Sequence, residues 1–243
     1  MDGFLFIDKP AGMTSHDVVD VVRRLTGERR VGHAGTLDPF ATGLLILGVG
    51  KATKELGKLI GLNKKYEAVL MLGATSDTFD REGVITVMGR GEPMRSPSGR
   101  PEGRHVGLPL RDDIESTLDQ FRGGYDQRAP IFSAKKIKGK KLYELARAGT
   151  ATEAMRPIKR VIISSLHITH YAFPFLHLHI QCSSGTYIRS LADDIGRALG
   201  TGAYLTELRR THVGDFSIEQ AQTVEEARKN GLKLLSLDKS PAP

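Results

Sequence analysis

The sequence has one cysteine, no apolar run of membrane-spanning length, no internal repeat and no GxGxxG or P-loop glycine pattern. A single thiol excludes an internal disulfide and a thiolate metal cluster. Cys182 stands in the apolar alternation Leu176, Leu178, Ile180, Cys182, which points to a buried structural thiol. The missing glycine patterns leave no nucleotide cofactor indicated. The most apolar stretch, Leu44 to Gly50, has the length of a core strand. The opening MDGFLFIDKP carries an early acid and too short an apolar run for a secretory leader, so a cytoplasmic protein is expected.

What is present suffices for a packed core. The chain has 243 residues, of which 40% are hydrophobic, enough for one large domain or two small ones. The net charge is +7. From Arg128 to Arg160 the chain holds ten Lys or Arg against two acids, a local +8 that leaves −1 for everything else. Such a segment attracts a polyphosphate backbone.

A strand is expected around Phe4 and Phe6. A helix capped by Thr14 or Ser15 and stopped by Gly27 follows, then strands at Leu44 to Val49 and Tyr66 to Leu72, the latter partnered by Gly83 to Met88. Helical spacing recurs at Lys51 to Ile60, Asp112 to Phe121, Lys141 to Ala148 and Tyr187 to Leu199, and more weakly at Val224 to Lys229. Lys159 to Tyr171, Phe175 to Cys182 and Ala203 to His212 read as strands, and residues 89–107 as an exposed loop. Strands and helices mix without a βαβ repeat, which predicts an α+β fold: a mixed, largely antiparallel central sheet flanked by helices.

The segment Gly32-His33-Ala34-Gly35-Thr36-Leu37-Asp38-Pro39-Phe40-Ala41-Thr42-Gly43-Leu44-Leu45 sets one carboxylate among small residues. Pro39 pushes Asp38 out of helical geometry, and the glycines let a substrate approach the backbone. Asp before Pro is also ordinary turn chemistry, and that pair alone favours a turn residue.

The whole string resembles the signature of the bacterial tRNA pseudouridine synthases that modify the T-loop uridine, the TruB family. Further segments match that family in order. Phe6 to Ser15 looks like its K-P-x-G-x-[ST]-S element, Lys64-Lys65-Tyr66 like its K-x-Y strand, and Leu72 to Asp80 like its L-G-x-x-[ST]-D-T-x-D element. Pro130 to Lys136 and Gly139 to Arg147 look like its tRNA-gripping insertion. Ser183 to Leu191 looks like its second active-site motif, and Leu205 to Thr211 like its final strand.

The resemblance implies the pseudouridine synthase fold with a cleft across its sheet, and tRNA as the partner. It implies an isomerase that breaks the C1′–N1 bond of uridine and rejoins C1′ to C5. No net redox or hydrolysis occurs, so no cofactor is required. It makes Asp38 the catalytic carboxylate, as nucleophile or base, with Arg189 as its paired cation and Tyr66 against the uracil. Leu208 would pack on the target base and His33 would contact the disrupted T loop. Tyr187, Lys9, Lys54, Asp80, Lys136, Lys140 and Lys141 complete the expected substrate contacts.

The expected catalytic domain is 1–216, with a basic insertion at about 125–156 and a short tail at 217–243. That tail is too short for the complete C-terminal RNA-binding domain of typical members, which favours a stand-alone, monomeric enzyme outside any guide-RNA particle. His167, His170, His177 and His179 lie on neighbouring strands. With no acid or second cysteine nearby, a solvated sheet face accounts for them better than a metal site. Two other readings compete with the isomerase: a non-catalytic tRNA-binding protein on the same fold, and a carboxylate N-glycosidase that lets water finish the cleavage.

Overall fold

The structure, a computed structural model, describes residues 1–88, 94–95, 101–102, 109–133, 135–137 and 139–235. In chain order, β1 (Gly3–Lys9) leads through α1 (Ser15–Thr26) to β2 (Val31–His33), β3 (Thr42–Val49) and α2 (Leu56–Ile60). Next come β4 (Lys64–Leu72), β5 (Ala74–Ser76), β6 (Ile85–Val87), β7 (Met94–Arg95), β8 (Pro101–Glu102), α3 (Arg111–Asp119) and β9 (Gly123–Arg128). They are followed by β10 (Lys136–Ile137), β11 (Lys140–Lys141), α4 (Leu142–Arg147), β12 (Ile158–Ala172), β13 (Phe175–Cys182) and α5 (Ile188–Ala198). The last elements are β14 (Ala203–Val213), β15 (Phe216–Ser217), β16 (Gln222–Thr223) and α6 (Val224–Asn230). Two compact units result: residues 1–67 with the chain from Glu207 onward, and residues 68–206. β4 and β14 each run across the boundary.

In the first unit the sheet order is β16-β1-β3-β14-β4, with β2 beside β3 and β15 beside β14. β1 and β3 are antiparallel along their length, from Gly3 opposite Val49 to Lys9 opposite Gly43. β16 lies parallel to β1 and β14 parallel to β3. β3 is apolar on both faces because both are covered. Leu45, Leu47 and Val49 join Val18, Val19, Val21 and Val22 of α1 and Val224 and Ala227 of α6. Leu44 and Ile46 join Phe4, Phe6, Leu56 and Leu59 on the other side. The expected limits of α1 are found: Thr14 and Asp17 form a reciprocal capping box, and Gly27, at φ 68°, ends the helix with its N–H on Arg23 O. The stretch expected as a tail carries β15, β16 and α6, whose own capping box joins Thr223 and Glu226.

In the second unit the order is β14-β4-β13-β12-β9. α3 packs on β12 and on α5, and α5 on β9; Ile114, Leu118, Leu191 and Ile195 of the helices and Ile163, Leu166, Leu178 and Ile180 of the strands are all buried. Cys182 is buried, as its alternation implied. The opposite face of β12 and β13 is wet: His167 stands across from His179 and His170 from His177, and all but the half-buried His177 are exposed. One sequence expectation is corrected. β6 pairs with β5, not with the 66–72 strand, because Asp77 and Thr78 turn the chain locally: Asp77 Oδ1 accepts from Val84 N–H and Thr78 Oγ1 donates to Asp80. Most of 89–107 lies outside the described residues.

Gly43 sits at φ 106°, and a Cβ there would collide with the Arg210 backbone. Gly27, at φ 68°, has open space around it. Gly43→Ala should therefore destabilise the protein by at least about 2 kcal/mol and Gly27→Ala by only about 1 kcal/mol, measured by urea denaturation.

Candidate active site

The Asp38 loop is fastened on both sides of its carboxylate. Ser15 Oγ accepts from Leu37 N–H at 2.9 Å and donates to Leu37 C=O at 3.2 Å. On the far side, Pro39 C=O accepts from Gly12 N–H at 2.9 Å and from Lys9 Nζ at 3.2 Å. Asp38 C=O accepts from Ala41 N–H at 3.1 Å. The side chain of Asp38 is half-buried. The backbone around it is therefore fixed by five hydrogen bonds from the first unit's own residues.

Lys9 is the main tie. It is fully buried, and its ammonium donates to Met13 O at 2.6 Å, Pro10 O at 2.8 Å and Pro39 O. Lys9, expected as a second-line RNA or active-site contact, is thus an ammonium enclosed by carbonyls that shapes the Asp38 loop. Arg210 works from the opposite side at 1% exposure, donating from Nε to Leu44 O at 2.8 Å and from Nη2 to Gly35 O at 3.1 Å. Sequence reasoning missed Ser15 and Arg210. The signal for Arg210 was its place in the inward alternation of a strand. Its neighbour Arg209 turns the other way and forms a two-pronged pair with Asp8, at 2.6 and 3.1 Å.

The other first-unit candidates are placed individually. His33 ends β2, opposite Leu47. Its imidazole is held below its ordinary range by burial first and then by the charges of Arg210 and His16, which keeps it neutral at pH 7. Tyr66 and Leu208 are buried on β4 and β14, and Lys54 is exposed.

Arg189 belongs to the second unit, near the start of α5, at 6% exposure. Its Nη1 lies 3.2 Å from Asp80 Oδ2 and donates to Thr78 O at 3.0 Å, while Nη2 donates to Phe132 O at 3.1 Å. Asp80 is itself 3% exposed and accepts on Oδ1 from Thr78 Oγ1 at 2.6 Å and from Glu82 N–H at 3.0 Å. Both charges are thus desolvated and hydrogen-bonded. The turn holding Asp80 passes through Phe79, a non-glycine residue at φ 64°, with Arg156 over its ring at 5.1 Å. The sequence had singled out Asp80 and Arg189 separately; the structure brings them together. Tyr187 directly precedes α5.

Of the basic insertion, Lys135 and Lys140 are exposed, and β10 and β11 pair Lys136 with Lys141 and Ile137 with Lys140. Lys138 lies outside the described residues. Arg156 is buried and donates to Ala129 O at 2.7 Å, so it does not belong to the exposed charge. Among the described residues no group of three or more His, Cys, Asp or Glu could hold a metal ion, and no helix is long and apolar enough to cross a membrane.

This fold is that of the RNA pseudouridine synthases. A chain from the solved structure "Crystal Structure of a Cbf5-Nop10-Gar1 Complex" superimposes with a TM-score of 0.67 at 27% identity over 95% of this chain and 57% of that one. A chain from "Structure of H/ACA RNP bound to a substrate RNA containing 2'-deoxyuridine" gives 0.65 at 25% identity over 95% and 56%. This chain therefore spans little more than half the length of those two. Within that class, the chain belongs to the TruB family of pseudouridylate synthases: residues 23–188 match its N-terminal domain, and residues 189–232 match the tRNA pseudouridylate synthase B C-terminal domain. Proteins named tRNA pseudouridine synthase B are similar over most of their length. That of Chlamydia abortus is 44% identical over 90% of this chain and 86% of its own. That of Corynebacterium diphtheriae is 43% identical over 99% and 77%.

Removing one member of a buried ion pair strands the other. Asp80→Ala and Arg189→Met should each cost about 3–5 kcal/mol in urea denaturation. The double variant should recover at least about 1 kcal/mol relative to the sum, the coupling expected of contacting charges.

Proposed function

We propose that this chain converts a T-loop uridine of tRNA to pseudouridine and that Asp38 carries the chemistry. The carrying observation is the Asp38 loop: its backbone is tied on both sides of a half-buried carboxylate, in a member of a pseudouridylate synthase family. The reaction moves one bond. C1′ leaves N1 and joins C5, C5 gives up a proton and N1 ends with one. Product and substrate have the same atoms, so the balance calls for no external reductant, oxidant or water. A carboxylate beside the ribose can serve as nucleophile at C1′ or as base, and a tied backbone lets it do so without reorganising.

A uridine within folded tRNA must leave its stack to be reached. His33 is assigned to the disrupted loop, which suits a neutral imidazole with an aromatic face. Tyr66 and Leu208 are assigned to the extruded uracil, a role supported by their strand positions in the matched motifs. Arg189 is assigned as the reaction-centre cation, with Asp80 orienting it, and Tyr187 as a contact beside it. Lys54, Lys136, Lys140 and Lys141 are assigned to the RNA backbone. A cytoplasmic monomer that acts on tRNA directly fits this reading. Identity of 43–44% to proteins named for tRNA supports it over the 25–27% to chains from guide-RNA complexes.

Incubation with an unmodified tRNA transcript, followed by nucleoside analysis, should give pseudouridine in the T loop, in chelator as well as without it. Unchanged uridine would indicate a binding protein, and an abasic site with free uracil an N-glycosidase. Asp38→Asn should abolish single-turnover conversion and leave tRNA affinity within a small factor, because the amide keeps the shape and loses the charge. Substantial conversion by that variant removes Asp38 from its role.

Replacing Lys136, Lys138, Lys140 and Lys141 together with Gln should weaken tRNA binding. It should also flatten the slope of log K against log salt by about 0.7–0.9 per lost phosphate contact. Turnover at saturating tRNA should fall much less. Unchanged affinity and slope would make the charge run a solvated face.

A further inference from the structure

Gln127 is buried on β9, at 2% exposure, and takes no part in the chemistry assigned above. Its amide treats one residue of another segment as a neighbouring strand would. Oε1 accepts from Tyr187 N–H at 2.8 Å, and Nε2 donates to Tyr187 C=O at 3.0 Å. Tyr187 is the extended residue (φ −97°, ψ 108°) that immediately precedes α5, and no side chain caps that helix from its own sequence. Nε2 also donates to the Tyr125 hydroxyl, two residues earlier on the same face of β9. Tyr125 has its pKa raised by burial and then by the charge of Asp194 on α5, to whose carboxylate its hydroxyl donates a hydrogen bond. Burial and Asp193 push Asp194 up to about 6, against the pull of Arg197, Arg156 and Tyr125. A hydrogen-bonded chain thus runs from the half-buried Asp194 and Tyr125 through the buried Gln127 to the backbone of Tyr187.

Arg189 is two residues beyond that clamp. Its guanidinium must meet Thr78 O, Phe132 O and Asp80 together. Those acceptors sit on segments other than α5, so the place where α5 begins sets how the guanidinium reaches them. We infer that Gln127 is a positioning residue for Arg189, setting the first turn of α5 through the backbone of Tyr187. The inference rests on the assignment of Arg189 to the reaction centre. A displacement of the order of 1 Å at a reacting group can cost about a hundredfold in rate, so the clamp is expected to act on the chemical step and not on binding.

The test uses the full chain and a tRNA transcript under single-turnover conditions, with melting and tRNA affinity measured alongside. Gln127→Met keeps the size of the side chain and loses both bonds. It should lower the rate by about tenfold or more with affinity within about twofold. Gln127→Glu keeps the acceptor for Tyr187 N–H and can donate to Tyr187 C=O only when neutral. The ratio of its rate to the wild-type rate should therefore rise as pH falls from about 8.5 to about 6. The titratable and charged groups that act on this hydrogen-bonded chain are Tyr125 on β9, Asp193, Asp194 and Arg197 on α5, Arg156 just before β12 and Cys182 on β13, with Lys159 opposite Gln127 in the pairing of β9 and β12. All are present in both proteins, so the ratio reports what the carboxyl at 127 adds, including its coupling to Asp194. A wild-type rate in folded Gln127→Met, or a loss matched by the loss of folded protein or of affinity, overturns the inference. If Gln127→Met fails to fold, a flat ratio for Gln127→Glu overturns it. Absence of pseudouridine from the wild-type reaction would instead overturn the functional reading itself.

Discussion

Lys9, Gly43 and Arg210 stand side by side in one row across β1, β3 and β14. The pairing of these strands fixes where the two cations start. From one flank the Lys9 ammonium ties Pro10, Met13 and Pro39; from the other the Arg210 guanidinium ties Gly35 and Leu44. The loop that carries Asp38 is thus held by side chains whose own origins are set by sheet register. Gly43 lies between them because β14 approaches too closely for a Cβ. A slip of one residue in any of the three strands would turn a cation to the other face and leave the loop without its tie. The apolar layers on both faces of β3 hold the register, and hydrophobic packing thereby determines the setting of a carboxylate it does not touch.

The second unit follows the same rule with different residues. Arg189, Arg156 and Arg122 all donate to main-chain carbonyls: Thr78 and Phe132, Ala129, and Leu166 respectively. A guanidinium or ammonium used in this way is a crosslink with a direction that a hydrophobic contact lacks; Arg189 joins segments that share no ladder, while Arg122 and Arg156 fasten the two ends of the β9–β12 pairing. It also carries a risk. A cation whose acceptors shift has no water to fall back on. Rigid acceptors are needed, and the tight turn at Phe79 and the Gln127 clamp on Tyr187 supply rigidity where Arg189 needs it.

Much of this was legible in the sequence where local chemistry decides. Thr14 and Gly27 mark α1 because capping and left-handed geometry are written in the residues themselves. The alternation of β12 and β13 shows which face is wet, and the outward histidines follow from it. Other features depend on partners far along the chain. β9 was missed because Gly123-Gly124-Tyr125-Asp126-Gln127-Arg128 has no apolar alternation; its inward residues are a tyrosine and a glutamine that serve a network. β6 was given the wrong partner because the strand signal at Ile85 does not say how tight the turn before it is. The charge of Lys9 is visible in the sequence, but its burial and its ties to the Asp38 loop are not.

The basic segment shows the same limit in quantitative form. Net charge counts every cation equally, yet the ten between Arg128 and Arg160 divide by direction. Arg156 faces inward over Phe79. Arg160 is spent on Asp126 at 3.4 Å, across the pairing of β9 with β12. Lys159 donates to Ser184 O at 2.8 Å and so steadies the turn before α5. Lys135 and Lys140 are exposed and remain directed at solvent. Beyond about one Debye length, roughly 8 Å at physiological salt, only charges held near the surface act on an approaching phosphate. The part of the +8 that an RNA meets is therefore smaller than the sum, because Arg156 is buried and Arg160 is paired with Asp126. The buried Arg156 and the exposed Lys159 serve a different end: they tie main-chain carbonyls of Ala129 and Ser184.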